Sequence, residues 1–244
     1  MRALVMAAGL GTRLKPLTDS TPKPLVKVGG RPMVEYVLER LGRHGIAEAV
    51  INIHYFPEQM RAFVAAWNAR GAAPRLEIQD ESALLLDSGG SVAVAAPWLF
   101  EKERSALVCN ADVLATPDLH ALVARHRSLG VDCTLALTPN AEVGRKYHGV
   151  ALDEAGLVRA FVDKTGTPDP SLLHFFGYYV IDADALAHAP AAGQPFCVKQ
   201  KIWKPLAARG RMGGWSYEGP YLDLGTPAGI TAAEAWLKAG GARS

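Results

Sequence analysis

The sequence predicts an α/β fold built on a mainly parallel sheet, and three observations carry that expectation. Residues 3–8 (ALVMAA) form a continuous apolar run, the pattern of a strand covered on both faces. Apolar stripes at helical spacing then alternate with short apolar runs through the first 139 residues, which is the signature of strand–helix–strand units. A glycine-rich turn carrying cations follows the first run directly, at the strand end where open α/β sheets bind ligands.

The elements follow in order. Val34, Val37, Leu38 and Leu41 repeat at helical spacing behind Pro32, a residue suited to a helix start. Residues 50–53 read as the second strand, Met60, Phe63, Val64 and Trp67 as the next helical stripe, and residues 76–78 as a third strand. The apolar run 106–109 closes in Asn110-Ala111-Asp112. Leu119, Leu122, Val123, His126 and Leu129 form a further stripe, and residues 133–137 a strand. Beyond about Pro139 the pattern becomes mixed. Strands are expected at Gly149–Leu152, Val158–Val162 and 175–181, a helix near 202–208, a strand at 214–217 and a last helix near 228–239. The stretches GTPDP (166–170) and PAAGQP (190–195) are loops.

Composition narrows the function. The chain has 244 residues, 49% hydrophobic and 20% charged, with a formal net charge of +2. No concentrated basic footprint appears, so a nucleic-acid partner is not expected. Cys109, Cys133 and Cys197 are odd in number and far apart, which fits free thiols in a reducing cytosol rather than a disulfide framework or a zinc site. No cleavable leader is visible, and no apolar run approaches the ~20 residues of a membrane span. A cytoplasmic protein with no membrane partner is expected.

The first turn lies in MAAGLGTRLKPLTDSTPKPL (6–25). The Walker pattern GxxxxGK[ST] is absent, and GxGxxG fails where Leu14 stands. What remains is G-x-G-T-R-L-x-P-L-T followed after three residues by P-K-P-L. This resembles the signature of the sugar-1-phosphate nucleotidyltransferases, through Gly9, Gly11, Thr12, Arg13, Leu14, Pro16, Leu17, Thr18, Pro22, Lys23, Pro24 and Leu25. The chemistry agrees. Glycine lets backbone N–H groups approach phosphate oxygens. Arg13 offers a planar fork and Lys23 a point charge for a triphosphate.

The resemblance implies the rest of the site. The fold would be Rossmann-like, three-layer α/β/α, with a mostly parallel central mixed sheet. A single domain would span 1–244, with a nucleotide-binding half (1–139) and a sugar-binding half (140–244). Ala8, Gly9, Gly11, Thr12, Arg13 and Lys23 would hold the nucleoside triphosphate. Gln79, together with Ser88 and Gly89 in LLLDSGGS (84–91), would meet the base. Asp112 of Asn-Ala-Asp and Asp223 of YLDLGTP would hold Mg²⁺, a hard cation that takes few protein carboxylates. FVDK (161–164) resembles the family's F-x-E-K, which puts Asp163 on the sugar hydroxyls and Lys164 on its phosphate. Asn110, Gly149 and Gly177 would line the sugar. Arg13, Lys23 and Lys164 would be the catalytic cations. Asn52 and His148 are polar residues to which the sequence assigns no role.

The substrates implied are an NTP and a sugar 1-phosphate, in a monomer or small homo-oligomer. IQDESALLLDSGGS (78–91) looks most like the muramate uridylyltransferase form, whereas FVDK and YLDLGTP look equally like guanylyltransferases acting on mannose 1-phosphate; heptose 1-phosphate is a further acceptor on the guanylyl reading. A non-catalytic nucleotide-sugar sensor, the rival of another class, would be expected to have lost a metal aspartate or a loop cation. Arg13, Lys23, Asp112 and Asp223 are all present.

Overall fold

Strand β1 (Ala3–Met6) is sealed in the interior, as its unbroken apolar run requires: Ala3, Leu4 and Val5 have no exposed surface. The computed structural model describes residues 1–241. By internal contacts the chain divides into two compact units, each discontinuous in sequence. Unit 1 comprises residues 1–85, 109–116 and those from Pro220 onward; unit 2 comprises 86–108 and 117–219. Residue 139 falls inside unit 2, so halves divided there do not coincide with these units.

Unit 1 opens with β1 and three short 3-10 turns. A hairpin of two-residue strands follows, β2 (Lys27–Val28) and β3 (Arg31–Pro32), and then α1 (Met33–Arg43), β4 (Glu48–Ile53), α2 (Pro57–Ala69) and β5 (Arg75–Asp80). β1, β4 and β5 run parallel, with Leu4 opposite Val50 and Ile51 opposite Ile78. Helix α1 turns Met33, Val34, Val37, Leu38 and Leu41 inward without exposed surface, the wide apolar stripe of a helix facing a core. Helix α2 buries Met60, Phe63, Val64 and Trp67. The Trp67 indole N–H donates to the Pro74 carbonyl at 2.9 Å, so the ring's one polar atom is satisfied where it is buried.

The chain then enters unit 2 as α3 (Asp87–Leu99). Periodicity does not reveal this helix, because it opens on a glycine pair, carries Pro97 and is apolar on most sides. Strand β6 (Ser105–Asn110) ends in unit 1, where β7 (Val113–Ala115) follows. In unit 2, α4 (Leu119–Leu129) is capped by the Asp118 carboxylate, which accepts from the His120 and Ala121 N–H groups. There follow β8 (Cys133–Pro139), β9 (Gly149–Leu152), β10 (Val158–Val162) and β11 (Leu173–Asp182). β11 is antiparallel to β8 and β9, and β9 to β10. A π-helical turn at Lys199–Trp203 leads into α5 (Lys204–Ala208), and β12 (Met212–Ser216) returns parallel to β8. Unit 1 is completed by β13 (Tyr221–Asp223) and α6 (Pro227–Lys238). The fold is α/β on a mostly parallel, mixed central sheet, as the alternating patterns predict.

Candidate active site

The loop after β1 is shaped by Gly11. Its φ of 68° is left-handed, a region glycine enters without penalty. A Cβ there would also lie 2.8 Å from Thr18 Cγ2 and 3.0 Å from Lys23 Cβ. The Gly11 carbonyl accepts from Leu14 N–H and from the Thr18 hydroxyl, both at 2.9 Å. The loop therefore folds back on itself and delivers Lys23 beside its own start. Gly11→Ala is expected to cost about 1–3 kcal/mol of stability, to be read from the urea midpoint.

The strand end is anchored from below by Asn52 on β4, which is 1% exposed. Its Oδ1 accepts from the Ala7 and Ala8 N–H groups, and its Nδ2 donates to Glu81 Oε1 at 3.0 Å. The same Glu81 oxygen accepts from Gln79 Nε2 at 2.8 Å. Gln79, expected at the base, is thus a buried side chain tied to a buried carboxylate.

The two aspartates arrive from distant positions in the sequence and meet across a short ladder. Asp112 occupies the turn between β6 and β7. β7 pairs antiparallel with β13, with Val113 opposite Asp223. Leu224 N–H donates to the Asp112 carbonyl at 2.9 Å and closes the corner. Each carboxylate faces a loop cation. Lys23 Nζ donates to Asp112 Oδ2, and Arg13 Nη1 lies 3.7 Å from Asp223 Oδ2. Asp223 Oδ1 accepts from Gly225 N–H at 2.8 Å. A Cβ on Gly225 would sit 2.7 Å from Arg13 Nη2, 2.8 Å from Asp223 Oδ1 and 3.1 Å from Lys23 Nζ. Three charged groups therefore converge on the bare face of one glycine.

The floor beneath them is apolar. Leu14, Val26 and Val28 from the loop side pack in one cluster with Met33, Leu114, Leu224, Ile230 and Ala233. Helix α6 joins that cluster through Ile230 and Ala233, and at its N-terminus the Thr226 hydroxyl accepts from Gly229 N–H at 3.1 Å. Gly229 passes so close to β13 that a Cβ would lie 1.7 Å from the Asp223 carbonyl oxygen. In the sequence Gly229 shows only as the second glycine of G-T-P-A-G.

Two hard carboxylates at one corner suit a divalent cation such as magnesium, whose remaining positions go to water and phosphate oxygens. The Asp112 and Asp223 side chains are 22% and 18% exposed, sheltered yet reachable. Asn110 ends β6 two residues before the turn's carboxylate.

Unit 2 carries the remaining candidates. Ser88 and Gly89 belong to the first turn of α3. Ser88 Oγ accepts from Val198 N–H at 3.1 Å. Gly89 N–H donates to the Phe196 carbonyl at 2.8 Å, and a Cβ on Gly89 would fall 2.3 Å from the Phe196 ring. The small residue here makes room for Phe196. Gly149 likewise makes room for Leu172, whose Cδ1 a Cβ would meet at 2.5 Å. Gly177 has φ 99° where the β11 register shifts between Phe175 and Tyr179. Lys164 is exposed. Asp163 is held by Lys199 Nζ at 3.2 Å and lies 3.1 Å from His148 Nδ1. The Lys199 hydrogen bond, aided by the charges of Lys199, His148 and Lys204, keeps the Asp163 carboxyl below its ordinary range.

Comparison with known proteins places these features in context. Residues 2–236 match the family model described as nucleotidyl transferase. The chain is 36% identical over 241 residues to N-acetylmuramate alpha-1-phosphate uridylyltransferase of Caulobacter vibrioides, across 96% of each chain. It is 31% identical over 227 residues to mannose-1-phosphate guanylyltransferase of Mycobacterium tuberculosis, covering 92% of this chain but 61% of that one. Against such guanylyltransferases the chain thus spans less than two thirds of their length. The crystal structure of HddC from Yersinia pseudotuberculosis is similar with a TM-score of 0.81 and 20% identity, over 97% of this chain and 99% of that one, a likeness of fold.

Proposed function

Because the chain belongs to the nucleotidyl transferase family, we propose that it transfers the uridylyl group of UTP to N-acetylmuramate 1-phosphate and releases pyrophosphate. The chain is a nucleotidyltransferase acting on a sugar 1-phosphate; the base and the sugar are the proposed part. One observation carries the chemistry: Arg13, Lys23 and Asp223 converge on Gly225, with Asp112 bonded to Lys23. The choice of UTP and N-acetylmuramate follows the relative that this chain matches from end to end at 36% identity.

The acceptor's phosphate oxygen attacks the α-phosphorus in line with the departing pyrophosphate. That oxygen is already anionic, so no general base is needed, and the work is positioning and charge neutralisation. Arg13 and Lys23 exchange their carboxylate partners for triphosphate oxygens and stabilise the charge that grows on the leaving group. The backbone of Ala8, Gly9, Gly11 and Thr12 lies against the phosphates, with Ala8 fixed by Asn52. Asp112 and Asp223, once released from the cations, would hold a magnesium ion, which would supply charge neutralisation at the phosphates. Lys164 binds the acceptor phosphate and Asp163 the sugar hydroxyls. We place the reaction in the cytoplasm, where the three free cysteines stay reduced; no helix among the described residues is long and apolar enough to cross a membrane.

Pyrophosphate release from UTP, GTP, CTP, dTTP and ATP, each against N-acetylmuramate, mannose and heptose 1-phosphates with Mg²⁺, tests the reading. The strongest turnover is expected for UTP with N-acetylmuramate 1-phosphate. Strongest turnover for GTP with mannose 1-phosphate would overturn the choice of substrates and leave the reaction class standing. Removing divalent metal with EDTA is expected to abolish release, and excess Mg²⁺ to restore it.

A further inference from the structure

We propose that Lys199 reads a second anionic group on the acceptor, a carboxylate borne by the sugar in addition to its phosphate. The inference rests on the nucleotidyl-transfer reading and names the class of sugar that the acceptor site takes. Every residue it uses lies in unit 2.

The argument is one of charge and position. Asp163 is the carboxylate expected at the sugar. Around it stand Lys199 at 3.2 Å, His148 at 3.1 Å and, acting through its charge, Lys204. Lys164 follows Asp163 in the chain. Lys199 and Lys204 therefore act on one carboxylate, which leaves a positive surplus that a neutral sugar does not answer, the sugar phosphate being assigned to Lys164. Complementarity of this kind selects partners by charge, since an uncompensated cation favours a ligand that supplies the missing anion.

Lys199 is the residue built for this role. Its side chain is 20% exposed, whereas that of Asp163 is 75% exposed. The ammonium stands 5.8 Å from the centre of the Phe161 ring, a cation–π distance. Phe161 in turn stacks on Trp203, with centroids 6.1 Å apart and planes 15° from parallel. Trp203 packs edge-on against Phe175 and Tyr179. The lysine is thus seated on an aromatic platform, while Asp163 is a solvated partner. An ammonium has three N–H donors, and among the described residues Asp163 Oδ1 is the one acceptor they have. An exposed pair of this sort is weak and readily re-partnered, so a ligand carboxylate can join or replace Asp163 at Lys199 Nζ. N-acetylmuramate bears such a group, the carboxylate of its lactyl ether, and N-acetylglucosamine has the same ring without it.

The test is the preference between those two sugars as their 1-phosphates, measured as the ratio of kcat/KM values with saturating UTP and Mg²⁺. The wild-type protein is expected to prefer N-acetylmuramate 1-phosphate. Lys199→Gln is expected to lower the ratio by about ten-fold or more, the scale of one charge-assisted hydrogen bond. Lys199→Arg, which keeps the charge, is expected to restore most of it. A fall of both kcat/KM values by one common factor in Lys199→Gln would overturn the proposal, since Lys199 would then only be holding Asp163. Wild-type preference for N-acetylglucosamine 1-phosphate would also overturn it and would leave nucleotidyl transfer intact. Absence of turnover with every sugar 1-phosphate and every NTP would overturn the reaction itself, and this assignment with it.

Discussion

Asp223→Asn lowers kcat by about a thousandfold or more and leaves the fold in place: this is the largest effect expected of a single isosteric change. Two magnitudes separate the outcomes. The Arg13–Asp223 pair spans 3.7 Å with Arg13 60% exposed, and such a pair is worth about 0.2–1 kcal/mol of stability. The asparagine oxygen can still accept from Gly225 N–H, so the turn after β13 keeps its hydrogen bond. Neither loss unfolds the protein. Three decades of rate correspond to about 4 kcal/mol of barrier, which is the scale of removing a group that stabilises charge at the reacting phosphates. Pyrophosphate release at saturating Mg²⁺ measures the first number, and thermal unfolding of the same sample the second. Near wild-type release would remove Asp223 from the proposed metal site.

The second large effect is on stability. Gly229→Ala is expected to cost about 2–4 kcal/mol and to abolish activity, although residue 229 carries no chemistry. The added methyl would be placed 1.7 Å from the Asp223 carbonyl oxygen. Both partners are backbone, so no side chain can turn aside. Either α6 lifts from the Leu14–Leu224–Ile230 cluster or β13 moves and takes the Asp223 carboxylate with it. Gly9→Ala provides the contrast. A Cβ on Gly9 would meet nothing within 4 Å, so the stability of that variant is expected to stay within about 0.5 kcal/mol of wild type. If Gly9 lies against phosphate, its KM for the nucleotide rises all the same. Equal urea midpoints for the Gly229 and wild-type proteins would refute the close approach.

What could be read in advance depended on how far each signal is local. The helix Leu119–Leu129 was legible from its stripe of Leu119, Leu122, Val123, His126 and Leu129, whereas its Asp118 cap was found only in the structure. Helix α3 was not legible. Gly89, Gly90, Ser91, Val92, Ala93 and Ala95 are all buried, so the helix has no polar face to set a period. β7 and β13 have three residues each, too few to show alternation, and only their pairing with each other defines them. At the candidate site the residue types were legible through the loop signature, but the pairing of Lys23 with Asp112 and of Arg13 with Asp223 is a product of tertiary contact. Gly89 shows the limit from the other side. Its smallness was visible, and the neighbour that needs it, Phe196, lies far along the chain.

The assembly of the apolar floor also sets an order of events during synthesis. Leu14, Val26 and Val28 are made among the first thirty residues, but their partners Leu224, Ile230 and Ala233 are made after residue 220. A ribosome that has translated everything up to Gly219 has produced the signature loop without its support and one carboxylate without the other. Unit 2, by contrast, has by then all of its own chain, and domains generally fold as units while the chain emerges. The nascent protein is therefore expected to hold a finished half and an unfinished one until the final helix leaves the exit tunnel. Translation that stops short yields chains that carry the loop cations without the proposed metal corner, so a truncated product should not compete for nucleotide as the full chain does.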